Sequence, residues 1–217
     1  MLLKESAALT ARIWRSFGHL GERGPADGER MMVIPGFLAT DRTTLGLVRA
    51  FADAGYRVVG WGLGMNTGVQ ADTLDRIVER IERFGKGRPI ILVGWSLGGI
   101  YAREAAKLRP DLASKVVTLG SPFSGDLRTN NNVRLLYELV ARHPVERPPI
   151  ETLVSAKPPV PTLALWSRRD GIVAPGAARG TDSERDAERE LDCSHMGFAV
   201  SARAYPRIVD AVRSFAM

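Results

Sequence analysis

The pentapeptide Gly94-Trp95-Ser96-Leu97-Gly98 sets a serine between two glycines, directly after the most apolar run of the chain, Pro89-Ile90-Ile91-Leu92-Val93. The segment that follows, Leu97 to Leu108, has helical spacing and stops before Pro110. A serine on a sharp strand-to-helix turn lifts its hydroxyl into the open, and the helix start behind it offers unpaired N–H groups to a developing oxyanion. That arrangement suits a nucleophile. A hydroxyl attacks poorly at neutral pH without a base in hydrogen-bond reach, and the chain has three histidines. His19 lies in an N-terminal arm, His143 in a proline-rich stretch, and His195 in the loop Cys193-Ser194-His195-Met196-Gly197 after the last expected strand. The acid that would orient such a base is expected at another strand end. Asp170, in the turn Ser167-Arg168-Arg169-Asp170-Gly171, follows an apolar run ending at Trp166; Asp182, Asp186 and Asp192 are the alternatives, in a charged stretch or against the last strand.

These side chains need a scaffold that brings distant turns to one edge. Met31-Met32-Val33-Ile34 reads as a buried strand stopped by Pro35-Gly36, with Asp41 as N-cap of a helix carrying Leu45, Val48 and Phe51 that ends at Gly55. A strand at Arg57–Gly60 precedes a helix with Leu74, Ile77, Val78 and Ile81 on one face and Gly85 as its stop. Further strands are expected at 116–119, at 162–166 and, charged enough for a sheet edge, at 187–191. The last helix has Pro206 in its first turn and points Ile208, Val212 and Phe215 inward. Strands alternating with helices imply a single-domain α/β fold, a doubly wound and mostly parallel sheet with ligands outside the carboxyl ends of the strands. Two segments stand outside the alternation. Residues 1–28 read as an amphipathic helical arm and a Gly- and charge-rich loop. Residues 121–161, with Val133, Leu136 and Val140 at helical spacing and then a proline-rich stretch with Pro144, Pro148, Pro149, Pro158 and Pro159, read as a short cap-like insertion.

A chain of 217 residues that is 45% hydrophobic fills one core. Its single cysteine, Cys193, excludes an intramolecular disulfide. The first twenty residues carry Lys4, Glu5, Arg12 and Arg15, so no signal-peptide core and no transmembrane segment is expected, and a cytoplasmic location follows. The net charge of +6 is spread among acids, with no like-charge block and no RNA-binding aromatic motif, which argues against nucleic acid as a partner. Scattered histidines without H-E-x-x-H argue against a zinc hydrolase, and the turn from Gly94 to Gly99 lacks the dinucleotide spacing, so neither a metal nor a cofactor is implied. Oligomeric state leaves no mark in the sequence.

Together, Pro35-Gly36-Phe37, Gly94-Trp95-Ser96-Leu97-Gly98-Gly99, Gly120-Ser121-Pro122 and Ser194-His195-Met196-Gly197 resemble the α/β-hydrolase superfamily in its bacterial lipase and esterase branch, over about Met31 to Phe215. The order serine, acid, histidine along such chains selects Asp170 and His195 beside Ser96. The resemblance implies a minimal α/β hydrolase cleaving carboxylic esters, small-molecule or lipid-like, through an acyl-enzyme. It also implies an oxyanion hole built from the backbone N–H groups of Leu97 and Phe37. One departure stands out: the branch usually has His-Gly where this chain has Pro35-Gly36, and proline removes both a side-chain hydrogen bond and a backbone donor from that loop. Acyl transfer, or cleavage of a thioester, an amide or a carbon–carbon bond, would use the same three residues. A non-catalytic binding module would be expected to lack one of them.

Overall fold

Period-two alternation along the strands sends successive side chains to opposite faces of a sheet, and each apolar face requires helices to cover it. The computed structural model describes residues 21–125 and 154–215. Its strands are β1 (Arg30–Ile34), β2 (Arg57–Gly60), β3 (Ile90–Trp95), β4 (Ala113–Leu119), β5 (Thr162–Trp166) and β6 (Ala187–Glu190). They form one sheet in the order β2-β1-β3-β4-β5-β6, and every neighbouring pair is parallel. An antiparallel bridge from Arg23 to Val58 extends it within the loop before β1.

The helices are α1 (Leu45–Asp53), α2 (Thr73–Gly85), α3 (Leu97–Leu108), α4 (Pro175–Arg179), α5 (Gly197–Val200) and α6 (Tyr205–Ser214). β3 is buried at all six positions and shows how the two cores divide. Ile91, Val93 and Trp95 join Leu47, Val48 and Phe51 of α1 and Ile208 and Val212 of α6. Ile90 and Leu92 join Ile77 and Ile81 of α2 and Ile100 and Tyr101 of α3. Each fully buried Leu, Ile, Val or Phe removes apolar surface worth about 1.5–3 kcal/mol, so both faces are firmly closed.

One sequence expectation is corrected and another refined. Asp41 is not the helix cap: α1 begins later, with Thr44 at the N-cap, after an extra turn closed by Thr43 N–H donating to Thr40 O. The Asp41 carboxylate is buried instead and accepts a hydrogen bond from Gly62 N–H at 3.1 Å, tying the start of α1 to the end of β2. Gly85 ends α2 as expected, but it is not the left-handed residue. It is the last helical residue, and the chain reverses at Lys86, which takes the left-handed conformation at φ 51° and donates its N–H to Glu82 O. The proposed N-terminal helix and the helix through Val133, Leu136 and Val140 lie outside the described residues, as do His19 and His143.

Where the chain returns at Val154, α3 receives it. Arg103 of α3 is fully buried, donates to Ser155 O, Ala156 O and Glu184 O, and lies 4.1 Å from the ring centroid of Phe123. Burial pulls its pKa down to about 10.

Candidate active site

β1 lies between β2 and β3, so the chain leaves β1 toward one side for β2 and crosses to the other for β3. Crevices open at such switch points, beyond the carboxyl ends of the strands. Here the adjoining ends are Ile34 and Gly94, paired in register. Ser96 follows directly, at the N-cap of α3, with φ 55° and ψ −124°. A non-glycine residue held there stores on the order of 1–3 kcal/mol of strain, and such strain concentrates at functional turns.

Three glycines permit the turn. A Cβ on Gly94 would stand 2.2 Å from Gly98 O, one on Gly98 would stand 2.3 Å from Ile34 O, and one on Gly99 would stand 1.9 Å from Ser121 Oγ. The turn is therefore wedged between β1 and the start of β4's outgoing loop, with Ser96 N–H donating to Leu119 O at 2.9 Å. Gly36, opposite, is closely packed as well, since a Cβ there would meet Ser96 Cβ and the Trp95 ring at 3.1 Å. Leu97 is the first residue of α3, where a helix leaves its N–H groups without intrahelical acceptors.

The structure brings Asp170 and His195 together. Asp170 Oδ2 and His195 Nδ1 are 2.8 Å apart, and both side chains are buried. Asp170 Oδ1 accepts Ile172 N–H at 2.9 Å and Val173 N–H at 2.8 Å, so the turn's own backbone aims the carboxylate. With the carboxylate accepting, Nδ1 is the donor of this bond and Nε2 is the ring nitrogen left outside it. The other carboxylates are engaged elsewhere: Asp182 with Arg185, Asp186 with Lys157 and Thr162 N–H, and Asp192 with Arg169. Among the described residues, the Ser96 hydroxyl makes no hydrogen bond to His195. The two turns are joined through Trp95, whose Nε1 donates to His195 O at 3.1 Å and whose ring centroid lies 5.6 Å from the imidazole's.

Sequence reasoning missed several residues that hold this site. Ser167 Oγ donates to Cys193 O at 2.6 Å and accepts Arg169 N–H at 3.0 Å, stitching the turn that carries Asp170 to the loop that carries His195. Gly120, at φ 54°, clears space for the carboxylate, because a Cβ there would come within 2.9 Å of Asp170 Oδ2. Trp95 and Gly120 sat inside quoted motifs and could have been suspected; Ser167 carried no signal beyond its turn. Cys193, two residues from His195, is buried, and burial raises its thiol pKa to about 11, which keeps it protonated and poorly nucleophilic at neutral pH. Among the described residues no group of three or more His, Cys, Asp or Glu could hold a metal ion, and no helix is long and apolar enough to cross a membrane.

A family model described as the alpha/beta hydrolase family matches residues 7–215. The phosphatidylserine lipases of Bos taurus and Homo sapiens are 36% and 35% identical to the chain over 83 residues. Each match covers 34% of this chain and 15% of the relative, so the chain spans far less than two thirds of either relative's length. Among solved structures, the monoacylglycerol lipase of Paleococcus ferrophilus superposes with a TM-score of 0.64 at 16% identity, over 90% of this chain and 98% of that one. A thioesterase domain from the curacin biosynthetic pathway gives 0.61 at 13%, over 89% and 93%. The protein Rv0554 from Mycobacterium tuberculosis gives 0.65 at 19%, over 91% and 93%. At these identities the superpositions speak for the fold alone, and one fold carries many chemistries.

Proposed function

The chain belongs to the α/β hydrolase family, and from that premise we propose that it is a serine hydrolase cleaving carboxylic esters through an acyl-enzyme, with Ser96 as nucleophile, His195 as general base and Asp170 as the acid that orients it. The observation that carries this reading is the buried Asp170–His195 hydrogen bond, joined through Trp95 to the strained turn of Ser96.

In the proposed reaction, Ser96 Oγ attacks the ester carbonyl and its proton passes to His195 Nε2. The negative oxygen is received by the N–H groups of Leu97 and Phe37. Collapse expels the alcohol, which takes the proton back from Nε2, and a water activated by the same nitrogen then releases the acid. Asp170 keeps the ring in the tautomer that leaves Nε2 free and stabilises the imidazolium. The lipase relatives favour a lipid-like or small acyl ester. Residues 121–161 are proposed as a short cap over the acyl chain, because they leave β4 at its carboxyl end and rejoin the body beside α3.

Two measurements on one preparation test the reading. A fluorophosphonate probe is expected to label Ser96 and to fail with Ser96→Ala; labelling that survives the substitution refutes the nucleophile. A p-nitrophenyl ester series, run beside a thioester and an anilide, is expected to show kcat/KM rising from acetyl to medium chains, by about 0.8 kcal/mol per buried methylene, and falling beyond. Faster turnover of the thioester or the anilide would change the bond class, and a preference for acetyl over hexanoyl would remove the cap from the acyl pocket.

A further inference from the structure

Proline at position 35 takes a donor out of the loop that follows β1, yet that loop is more tightly held than its own sequence accounts for. The brace is Asn66, in the loop between β2 and α2, which is fully buried. Its Nδ2 donates to Pro35 O at 2.8 Å, and its Oδ1 accepts Gly68 N–H at 3.2 Å and Tyr101 O–H at 3.4 Å. Its backbone grips the same loop further along: Asn66 O accepts Leu38 N–H at 2.7 Å, and Asn66 N–H donates to Ala39 O at 2.9 Å. Leu38 is thereby kept in the left-handed region at φ 56°, a conformation that costs a non-glycine residue free energy.

These bonds sort the loop's donors. Leu38 N–H is spent on Asn66 O and Ala39 N–H on Gly36 O, while Phe37 N–H has no hydrogen-bond partner among the described residues. On its other side the loop is fixed by contact, with Gly36 against Ser96 and the ring of Trp95, and the carbonyls of Ile34 and Pro35 against Gly98. The peptide units from Pro35 to Leu38 thus sit between the turn of Ser96 and a side chain from a different loop.

Resting on the serine-hydrolase reading above, we infer that Asn66 is a positioning residue: by holding Pro35 O and Leu38 N–H from outside the loop it fixes the direction of Phe37 N–H, the second oxyanion donor. From the loop after β2 it brings a donor to Pro35 O, in a loop that proline has deprived of one of its own donors. Its effect falls on the charged tetrahedral species rather than on the bound ester, because the ester's carbonyl asks less of the donor.

The experiment compares the wild type with Asn66→Ala and Asn66→Asp, the second keeping size and acceptor but losing the Nδ2 donor. Below the melting temperature, kcat for p-nitrophenyl butyrate is expected to fall about 10- to 100-fold with KM within about threefold, the scale of a donor displaced rather than deleted. The inhibition constant of butylboronic acid, whose Ser96 adduct is tetrahedral and anionic, should rise by a similar factor. In the wild type itself, boronic acid should slow amide exchange at Phe37 while Leu38 stays protected throughout. A rise in KM alone, a fall in kcat with unchanged boronate affinity, or an unresponsive Phe37 amide overturns the role of Asn66. If the wild type fails to react with a fluorophosphonate, the serine-hydrolase reading itself falls. If it reacts and both variants match it, only the inference about Asn66 is lost.

Discussion

At the end of β3 the chain is held by missing atoms: Gly94, Gly98 and Gly99 each lack a Cβ that would strike a carbonyl or hydroxyl within about 2.3 Å, and the turn has nowhere else to go. At the ends of β5 and β6 the chain is held by bonds that are present: Asp170 to its own turn and to His195, and Ser167 across to Cys193 O. The two regions supply the two halves of the proposed chemistry and fail differently. A steric lock breaks when anything is added, and the damage spreads into the core. A hydrogen-bonded lock breaks when a polar atom is removed, and the loss can stay local.

The sharpest break of this contrast is Asp170→Asn, which keeps the shape but permits the wrong imidazole tautomer. It is expected to lower kcat about 10³- to 10⁴-fold while thermal melting barely shifts, measured by ester kinetics beside calorimetry. A melting temperature that collapses with activity would erase the distinction. On the other side, Gly94→Ala forces a methyl against Gly98 O and Gly99 Cα, and should cost about 3 kcal/mol in a urea titration, with activity lost because the fold loosens. Ser167→Ala is intermediate. It strands Cys193 O and Arg169 N–H, so about 1–3 kcal/mol of stability should go together with a modest fall in kcat. Cys193→Ala should do least. The thiol's pKa is raised above its unfolded value, so its protonated form stabilises the fold below about pH 9 and that contribution fades toward pH 11. Activity at pH 7 should stay within about threefold of wild type, whereas a larger loss would give the thiol a part in the chemistry.

The strands and helices that carry the site were legible because their apolar runs are buried on both faces and carry no competing signal; β5 falls where its sequence places it, from Thr162 to Trp166. Asp170 and His195 were legible as strand-end residues, and their pairing is the geometry that chain order implies. What the sequence withheld were contacts between loops distant in the chain. Asn66 lies 31 residues from Pro35, and no local pattern announces that a side chain will reach back so far. Asp41 misled for a related reason: a carboxylate before an apolar helix looks like a cap, and only the tertiary neighbour Gly62 N–H draws it inward. The turn after α2 misled in a smaller way: Gly85 seemed the cheapest place to reverse the chain, yet the first left-handed residue is Lys86, with Gly87 following at φ 79°.

Arg103 gives the molecule one more property. Its guanidinium touches Phe123, just before the chain departs, and the carbonyls of Ser155 and Ala156, just after it returns. Both roots of the intervening stretch are therefore tethered to one buried charge on α3, the helix that begins at Ser96. For a loop with fixed ends, closure entropy grows only with the logarithm of length, about 0.6 kcal/mol for each doubling. On this ground a change in the number of residues between the two roots would cost the sheet little, while the edge that holds Ser96, Asp170 and His195 stays as it is.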